Sequence, residues 1–189
     1  MNKIVLASRS ARRINLMPYV TNNFKVMPAN IDETIEDTSL SINDIVTQIA
    51  IKKANKVQAK CPNEVIDAAH TLTVADGHIL GKPIDEEDDR RMLRILQGRK
   101  HIVVTGVYIC QGEKSLSFTC ETEVNMAKMS DDEIEYYVNT GEGYDKAGGY
   151  AAQGLGCRYI SNIRGDFFNL LGLPVYKLCL ALKQFGVEI

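Results

Sequence analysis

The fold is decided near the N-terminus, by the stretch IVLASRSARRINLM at residues 4–17. Its first four residues are apolar and predict a short buried strand. From Arg12 onward the stretch predicts an amphipathic helix that carries Ile14, Leu16 and Met17. The residues from Ser8 to Ala11 form a tight link, so we expect a strand, a hydroxyl-rich turn and a helix with a basic start.

The turn and the helix start have the chemistry of an anion site. The free N–H groups and the partial positive charge of a helix N-terminus favour a phosphate. Ser8 and Ser10 can donate or cap, and Arg9, Arg12 and Arg13 can pair with oxygens in fork geometry. The alternative is an ordinary Ser N-cap followed by solvent-facing arginines, and local chemistry leaves both open.

The composition favours a globular protein with a small partner. With 189 residues and 45% hydrophobic content, the chain can form one domain, or two lobes that share a cleft. The 22 basic residues are balanced by 24 acidic ones, which argues against nucleic acid as the partner. No apolar run approaches the roughly 20 residues that span a bilayer, and no signal peptide precedes the first strand. We therefore expect a cytoplasmic protein that does not bind membranes.

Two enzyme classes are disfavoured by missing motifs. The five cysteines contain no CxxC pair, so they predict neither a disulfide framework nor a zinc or redox site. Gly81-Lys82-Pro83 displays an amine on a rigid loop, but it lacks the P-loop frame of the P-loop kinases.

Further along the chain, charged residues recur beside predicted elements. Asp32 and Glu33 follow a predicted strand at 24–28 and could hold Mg²⁺, although such a pair is also common in a solvated turn. The helical pattern at 41–59 carries four lysines, most of them expected on a wet face and one able to point inward.

The remaining pattern alternates strands and helices. His70 lies in a long central strand, where it could be a satisfied core group or a proton shuttle. The other predicted elements are a hairpin at Asp76-Gly77, a helix at 86–97, a strand hairpin at 101–120 continued by 121–127, a helix from Ser130 to Val138, a glycine-rich segment at 141–156 with Lys146 and Gln153 as polar partners, a strand at 158–163 and a last helix from Leu173-Pro174 to Phe185.

Ordered motifs cover nearly the whole chain. They are LASxSxRR at 6–13, IDE at 31–33, KA at 53–54, Thr71, GKP at 81–83, TGV at 105–107, TEV at 122–124, DKAGxYxxQG at 145–154 and GLP at 172–174. Together they resemble the Maf family of nucleoside triphosphate pyrophosphatases.

The resemblance implies an α/β fold that is two-lobed and of the Maf and inosine-triphosphatase type, with a bent mixed sheet and a central cleft. It implies a single Maf-like domain over residues 1–189 and a homodimer. The implied reaction hydrolyses dTTP or UTP, and modified pyrimidine nucleotides, to the monophosphate and pyrophosphate with Mg²⁺ or Mn²⁺ as the divalent metal.

The resemblance also assigns roles to particular residues. Arg12, Thr71 and Gln153 match the branch of the family that acts on dTTP and UTP. The implied catalytic residues are His70, Glu33, Lys53 and Lys82, with Glu33 as the metal ligand. The implied substrate-binding residues are Ser8, Arg12, Arg13, Thr71, Lys146 and Gln153.

Position 70 departs from the family pattern. The family carries there an Asp, taken to accept the proton of the attacking water, and the spacing of Thr71 and GKP shows that neither Asp67 nor Asp76 replaces it by realignment. A neutral imidazole can accept a proton, but it cannot offer a metal the negative charge of a carboxylate. Loss of a general base costs about 10² to 10⁴ in rate, so we expect an impaired enzyme whose nucleotide site survives.

Two hypotheses follow from this departure. The first is a pyrophosphatase, weakened at position 70. The second is a nucleotide-binding regulator linked to cell division or septum formation. A lineage that drifted toward binding and a substitution made to trap a substrate would both account for His70. A second, smaller departure is Ala11, where the family usually has Pro.

Overall fold

The computed structural model describes residues 3–35, 37 and 39–189. The described residues form seven strands, which are β1 (Ile4–Leu6), β2 (Phe24–Val26), β3 (Val65–Ala75), β4 (His78–Leu80), β5 (Lys100–Gln111), β6 (Lys114–Met126) and β7 (Ile160–Gly165). They also form six α-helices, which are α1 (Ala11–Leu16), α2 (Ile42–Gln58), α3 (Glu86–Leu96), α4 (Asp131–Asn139), α5 (Phe167–Leu170) and α6 (Val175–Lys183). Short 3₁₀ turns lie at Met17–Tyr19, Ala147–Gly149 and Leu155–Tyr159.

The strands belong to one mixed sheet with the order β2-β1-β3-β5-β6-β7, and β4 pairs with β3 beside this path. Strand β1 runs parallel to both β2 and β3, with Leu6 opposite Asp67. Strands β3 and β4 are antiparallel, as are β6 and β7. The α/β class with a mixed sheet is thus confirmed.

The chain divides into two compact units. Unit 1 comprises Met1–His70, Thr105–Cys120 and Gly172–Ile189, and unit 2 comprises Thr71–Val104 and Glu121–Leu171. The division falls inside β3, β5 and β6. One domain with two lobes around a cleft remains a prediction.

Unit 1 has a core between its strands and α2. The apolar residues in this core are Val5, Ala7, Ala29, Ala54, Val57, Cys61, Ile66, Ala68 and Cys110. Gly106 of β5 lies so close to α2 that a Cβ there would meet the carbonyl carbon of Val46 at 2.7 Å. This approach explains why the TGV motif needs a glycine at its centre.

Unit 2 has its own core, formed by α3, α4 and parts of the sheet. Its buried residues include Met92, Leu93, Leu96, Val124, Ile134, Tyr137 and Tyr159. Helix α4 begins with a complete capping box, because Ser130 accepts from the Glu133 N–H while the Glu133 carboxylate accepts from the Ser130 N–H. Helix α2 is capped by Ser41, which accepts from the Asp44 N–H.

Several element boundaries differ from those predicted. Helix α1 begins at Ala11 instead of Arg12, and β2 ends at Val26, short of Pro28. The expected strand from Arg158 begins at Ile160, because Leu155–Tyr159 forms a 3₁₀ turn. The two runs on either side of residue 120 form the single strand β6.

The cysteines and the helices bear on two expectations drawn from the composition. All five cysteines are free, as predicted, and three of them are buried. None of the helices in the described part of the chain is long and apolar enough to cross a bilayer.

Candidate active site

The turn after β1 is closed by Ser8. The Ala7 N–H donates to the Asp67 carbonyl at 2.8 Å, which extends the pairing of β1 with β3 by one residue. Ser8 is buried, and its Oγ accepts from the Ser10 N–H at 3.1 Å. Ser10 is the N-cap residue of α1, but its side chain makes no capping hydrogen bond. Ser8 therefore shapes the turn, and Ser10 occupies the N-cap position without the side-chain hydrogen bond that an ordinary Ser N-cap makes.

Arg13 is a buried residue of α1 that reaches two distant carbonyl groups. Its Nε donates to the Gly172 carbonyl at 2.6 Å, and its Nη1 donates to the Ala69 carbonyl at 2.8 Å. The pKa of Arg13 is lowered to about 10, mainly by burial and with a contribution from Arg12, while Asp67 and Glu33 oppose the shift. The solvent-facing interpretation is therefore wrong for Arg13, although Arg9 is exposed.

Glu33, Lys53 and His70 form a cluster within unit 1. Lys53 Nζ lies 2.7 Å from Glu33 Oε1, and His70 Nδ1 lies 3.4 Å from Glu33 Oε2. Lys53 and His70 are buried, whereas the Glu33 side chain is 34% exposed. Lys53 also donates to the Ala69 carbonyl at 3.4 Å. This carbonyl, next to His70, therefore accepts from both Lys53 and Arg13. Three residues predicted as catalytic are thus brought together.

The cluster fixes the protonation states of its members. The hydrogen bond from His70, reinforced by Lys53, holds the pKa of the Glu33 carboxyl well below its usual range, although burial opposes this. Burial lowers the pKa of His70 below its ordinary value of 6.5, with Lys53 and Arg13 adding to the shift and Glu33 opposing it. His70 is therefore neutral at pH 7. With Nδ1–H directed at Glu33, the lone pair of Nε2 can accept a proton.

Asp67 is a buried acid that the sequence analysis did not select. It is fully buried, and neither carboxylate oxygen has a hydrogen-bond partner among the described residues. Burial raises its pKa to about 7, and only Arg13 counters this shift. Positions 67 and 70 are three apart in one strand, so their side chains lie on opposite faces of the sheet. Asp67 is therefore not expected to act as the aspartate that the family resemblance implies at position 70.

Unit 2 brings together three other predicted segments. The Thr73 hydroxyl donates to the Ala147 carbonyl at 3.1 Å. The Gly148 N–H donates to the Gly81 carbonyl at 2.8 Å. These bonds join the end of β3, the GKP loop and the DKAG segment.

The predicted residues of unit 2 lie on or next to these segments. Thr71 is half-buried in β3, and Lys82 is exposed in the GKP loop. Lys146 is largely buried and pairs with Asp145. Gln153 is exposed in the segment that follows.

Glu33 is the acidic residue of the cluster that could hold a divalent metal. In the described ranges, no group of three or more His, Cys, Asp or Glu side chains is placed to hold a metal ion. Mg²⁺ is commonly held by one or two carboxylates and completed by substrate phosphates and water. Glu33 meets this requirement as a single carboxylate. The single carboxylate of Glu33 thus fits a divalent cation whose other ligands are substrate phosphates and water.

The fold and these residues define a class of protein. It is an α/β protein with buried cations around one carboxylate and one neutral imidazole, an arrangement suited to an anionic ligand. The sequence pattern of the Maf family, described as Maf-like protein, matches residues 3–185. The chain therefore belongs to the Maf family.

Relatives with known names share the full length of the chain. A protein of Dictyoglomus turgidum is 42% identical over 189 residues, covers 99% of this chain and 98% of its own length, and is named dTTP/UTP pyrophosphatase. A protein of Bacillus cereus with the same name is 38% identical and covers 100% of this chain and 98% of its own length.

A solved structure supports the fold. The HAM1 protein of Coxiella burnetii matches with a TM-score of 0.58 at 15% identity, over 97% of this chain and 100% of that chain. This likeness confirms the predicted α/β fold, which the HAM1 protein shares.

Proposed function

We propose that this chain is a nucleoside triphosphate pyrophosphatase that hydrolyses dTTP and UTP to the monophosphate and pyrophosphate. The observation that carries this proposal is full-length similarity, at 38–42% identity, to relatives named dTTP/UTP pyrophosphatase. The cluster of Glu33, Lys53 and His70 supports it, because these groups suit the charge and the proton transfer of such a reaction.

In this proposal, unit 1 binds the phosphates. Arg12, Arg13 and Lys53 supply positive charge to the triphosphate, and the turn at Ser8 offers a hydroxyl group and backbone N–H groups. Arg13 is held by two carbonyl groups, so its position is set before any ligand arrives. Such preorganised charge stabilises the charge that develops on the departing pyrophosphate.

His70 is proposed as the general base. Water attacks the α-phosphorus and gives its proton to Nε2, while the bond from the α-phosphorus to the bridging oxygen breaks and pyrophosphate leaves. Glu33 accepts from Nδ1–H and stabilises the imidazolium that forms. Since an imidazole stands in place of the family's carboxylate, we propose that turnover is impaired and not abolished.

Mg²⁺ or Mn²⁺ is proposed as the cofactor. When bound, the cation would neutralise phosphate oxygens and polarise the anhydride. Glu33 would hold it, and it must compete there with the Lys53 ammonium at 2.7 Å.

The other residues that the family resemblance singled out are proposed as further nucleotide contacts. Arg12, Thr71 and Gln153 are assigned to base selection. Lys82 and Lys146 are assigned to the nucleotide's negative charge. We further propose a cytoplasmic homodimer that binds neither nucleic acid nor membranes.

A nucleotide-binding regulator is the second candidate, connected with cell division or septum formation. The observation that favours it is the neutral, buried imidazole at position 70, which brings no negative charge to a metal. This candidate requires nucleotide binding without turnover.

One comparison separates the two candidates. Pyrophosphate release from dTTP and UTP is measured with Mg²⁺ or Mn²⁺ for the unmodified protein, His70→Asp and His70→Ala. We expect His70→Asp to raise kcat by about 10-fold or more and His70→Ala to lower it by about 10-fold.

The controls make each outcome decisive. The exposed residue Lys56, exchanged for Gln, should leave all rates unchanged. Equal rates for the unmodified protein and His70→Ala would refute the general-base role. No turnover together with clear binding of UTP would favour the regulator.

A further inference from the structure

The segment at residues 151–156, which carries Gln153, is held in unit 2 by one carboxylate and one phenol. The Glu142 carboxylate accepts from the Leu155 N–H at 2.8 Å and from the Gly156 N–H at 3.0 Å. The Tyr137 hydroxyl donates to the same carboxylate at 2.8 Å and accepts from the Ala151 N–H at 2.9 Å. The segment is therefore fixed on both sides of Gln153.

The backbone between these bonds is shaped around the carboxylate. Gly154 has φ +146, and a Cβ at this position would lie 2.1 Å from Glu142 Oε1. Only glycine allows the chain to pass so close to the carboxylate with this backbone angle. The carboxylate and the segment therefore fit each other in shape and in hydrogen bonding.

The phenol is itself anchored in the core of unit 2. Tyr137 is fully buried in α4, and its ring packs edge-to-face against Tyr159 with centroids 6.3 Å apart. Burial and the Glu142 carboxylate both raise the pKa of Tyr137, so its hydroxyl stays protonated and donates. Tyr137 thus anchors the segment to α4.

We propose that Tyr137 and Glu142 are positioning residues that hold Gln153 in the conformation that selects the pyrimidine base. This inference rests on the proposed function, because it takes Gln153 as a contact of the base. Tyr137 and Glu142 belong to unit 2, whereas Glu33, Lys53 and His70 belong to unit 1. Loosening the segment should therefore weaken recognition of the base and leave phosphate binding intact.

The test compares a ligand that has a base with one that has none. The probes are the α,β-methylene analogue of UTP, which cannot be hydrolysed at that bond, and inorganic tripolyphosphate. For Tyr137→Phe, titration calorimetry should show a Kd for the UTP analogue that is about 10-fold higher, since one buried N–H group loses its partner. The Kd for tripolyphosphate should stay within about 2-fold.

Two further variants control for general damage. Tyr136→Phe removes the hydroxyl of the neighbouring exposed tyrosine and should change neither Kd. Glu142→Gln keeps an accepting oxygen for one N–H group but turns an amide donor toward the other, so it should give a loss at least as large as Tyr137→Phe. With UTP as substrate, the KM of each variant should rise in parallel with its Kd for the UTP analogue. The kcat of each variant should stay within about 2-fold of the unmodified protein.

Amide hydrogen exchange gives a readout that needs no ligand. Exchange at Ala151, Leu155 and Gly156 should speed up by about 10-fold in Tyr137→Phe, with no change in α3. Unchanged exchange would overturn the proposal, and so would an equal weakening of both probes. If the unmodified protein binds tripolyphosphate but not the UTP analogue, the proposed function itself fails, whatever the exchange shows.

Discussion

Replacing Asp67 with Asn tests the electrostatics of the central strand. Burial raises the pKa of Asp67 from its ordinary value of 3.8 to about 7. Between these values the folded chain keeps a proton that the unfolded chain has released. The free energy of unfolding therefore falls as the pH rises through this window. At about 1.36 kcal/mol for each pH unit, the loss totals roughly 4 kcal/mol.

Asparagine removes this pH dependence, because it does not titrate. We expect the free energy of unfolding of Asp67→Asn, minus that of the unmodified protein, to increase by roughly 2–3 kcal/mol between pH 5 and pH 8. The substitution also removes the charge of Asp67 near Arg13, which changes the free energy of unfolding at every pH. Comparing the two pH values cancels most of this constant change. Urea unfolding at each pH measures the difference.

A matched control is Asp131→Asn in α4, whose side chain is 87% exposed. The free energy of unfolding of Asp131→Asn, minus that of the unmodified protein, should not change by more than a few tenths of a kcal/mol between pH 5 and pH 8. If Asp67→Asn also shows a constant difference, Asp67 is ionised throughout this range. The inference that burial outweighs the charge of Arg13 would then be wrong.

Three further predictions concern activity and stability. Because burial lowers the pKa of His70 below its ordinary value of 6.5, kcat/KM for UTP should be flat from pH 7 upward and should fall only at a pH below 6.5, as a pH series of pyrophosphate release would show. Lys53→Gln should raise KM for UTP by about 10-fold, because it removes a buried cation beside Glu33, whereas Lys56→Gln should not; steady-state kinetics measures both. Ser130→Ala should lower the free energy of unfolding by about 1 kcal/mol through loss of the capping box, while Ser130→Thr keeps most of it in a urea titration.

Local patterns predicted most of the elements. The hairpin at Asp76 forms as expected, with positive φ values at Asp76 and Gly77. The capping patterns at Ser41 and Ser130 are present in the structure. These features depend on neighbours within a few residues, so the sequence contains all the information that they need.

The periodicity of α2 held a further signal. The buried face of the helix includes Val46, Ala50, Lys53 and Val57, a series with spacings of three and four residues. Lys53 is thus the lysine that this spacing places on the apolar face. The same reasoning applies to α3, where Asp89 shares a face with Met92, Leu93 and Leu96 and is fully buried.

The roles of Glu142 and Tyr137 could not be predicted in this way. Their partners lie up to fourteen residues away in an irregular segment, and the bonds depend on the path of that segment. The same limit on prediction from local sequence applies to Arg13 of α1, because its side chain is fixed by the distant carbonyl groups of residues 69 and 172. Local chemistry could not decide whether that arginine faces solvent.

Position 70 is expected to affect binding and turnover in opposite ways. A neutral imidazole brings no negative charge of its own to the cluster, so Glu33 is the carboxylate that faces Lys53, at 2.7 Å. A carboxylate at position 70 would add a second negative charge within a few ångströms of Glu33, which weakens attraction for a metal-free triphosphate. The same carboxylate would strengthen the hold on a divalent cation and so favour the chemical step. We therefore expect His70 to shift the balance from catalysis toward binding, and the rates of its two variants separate the candidate functions.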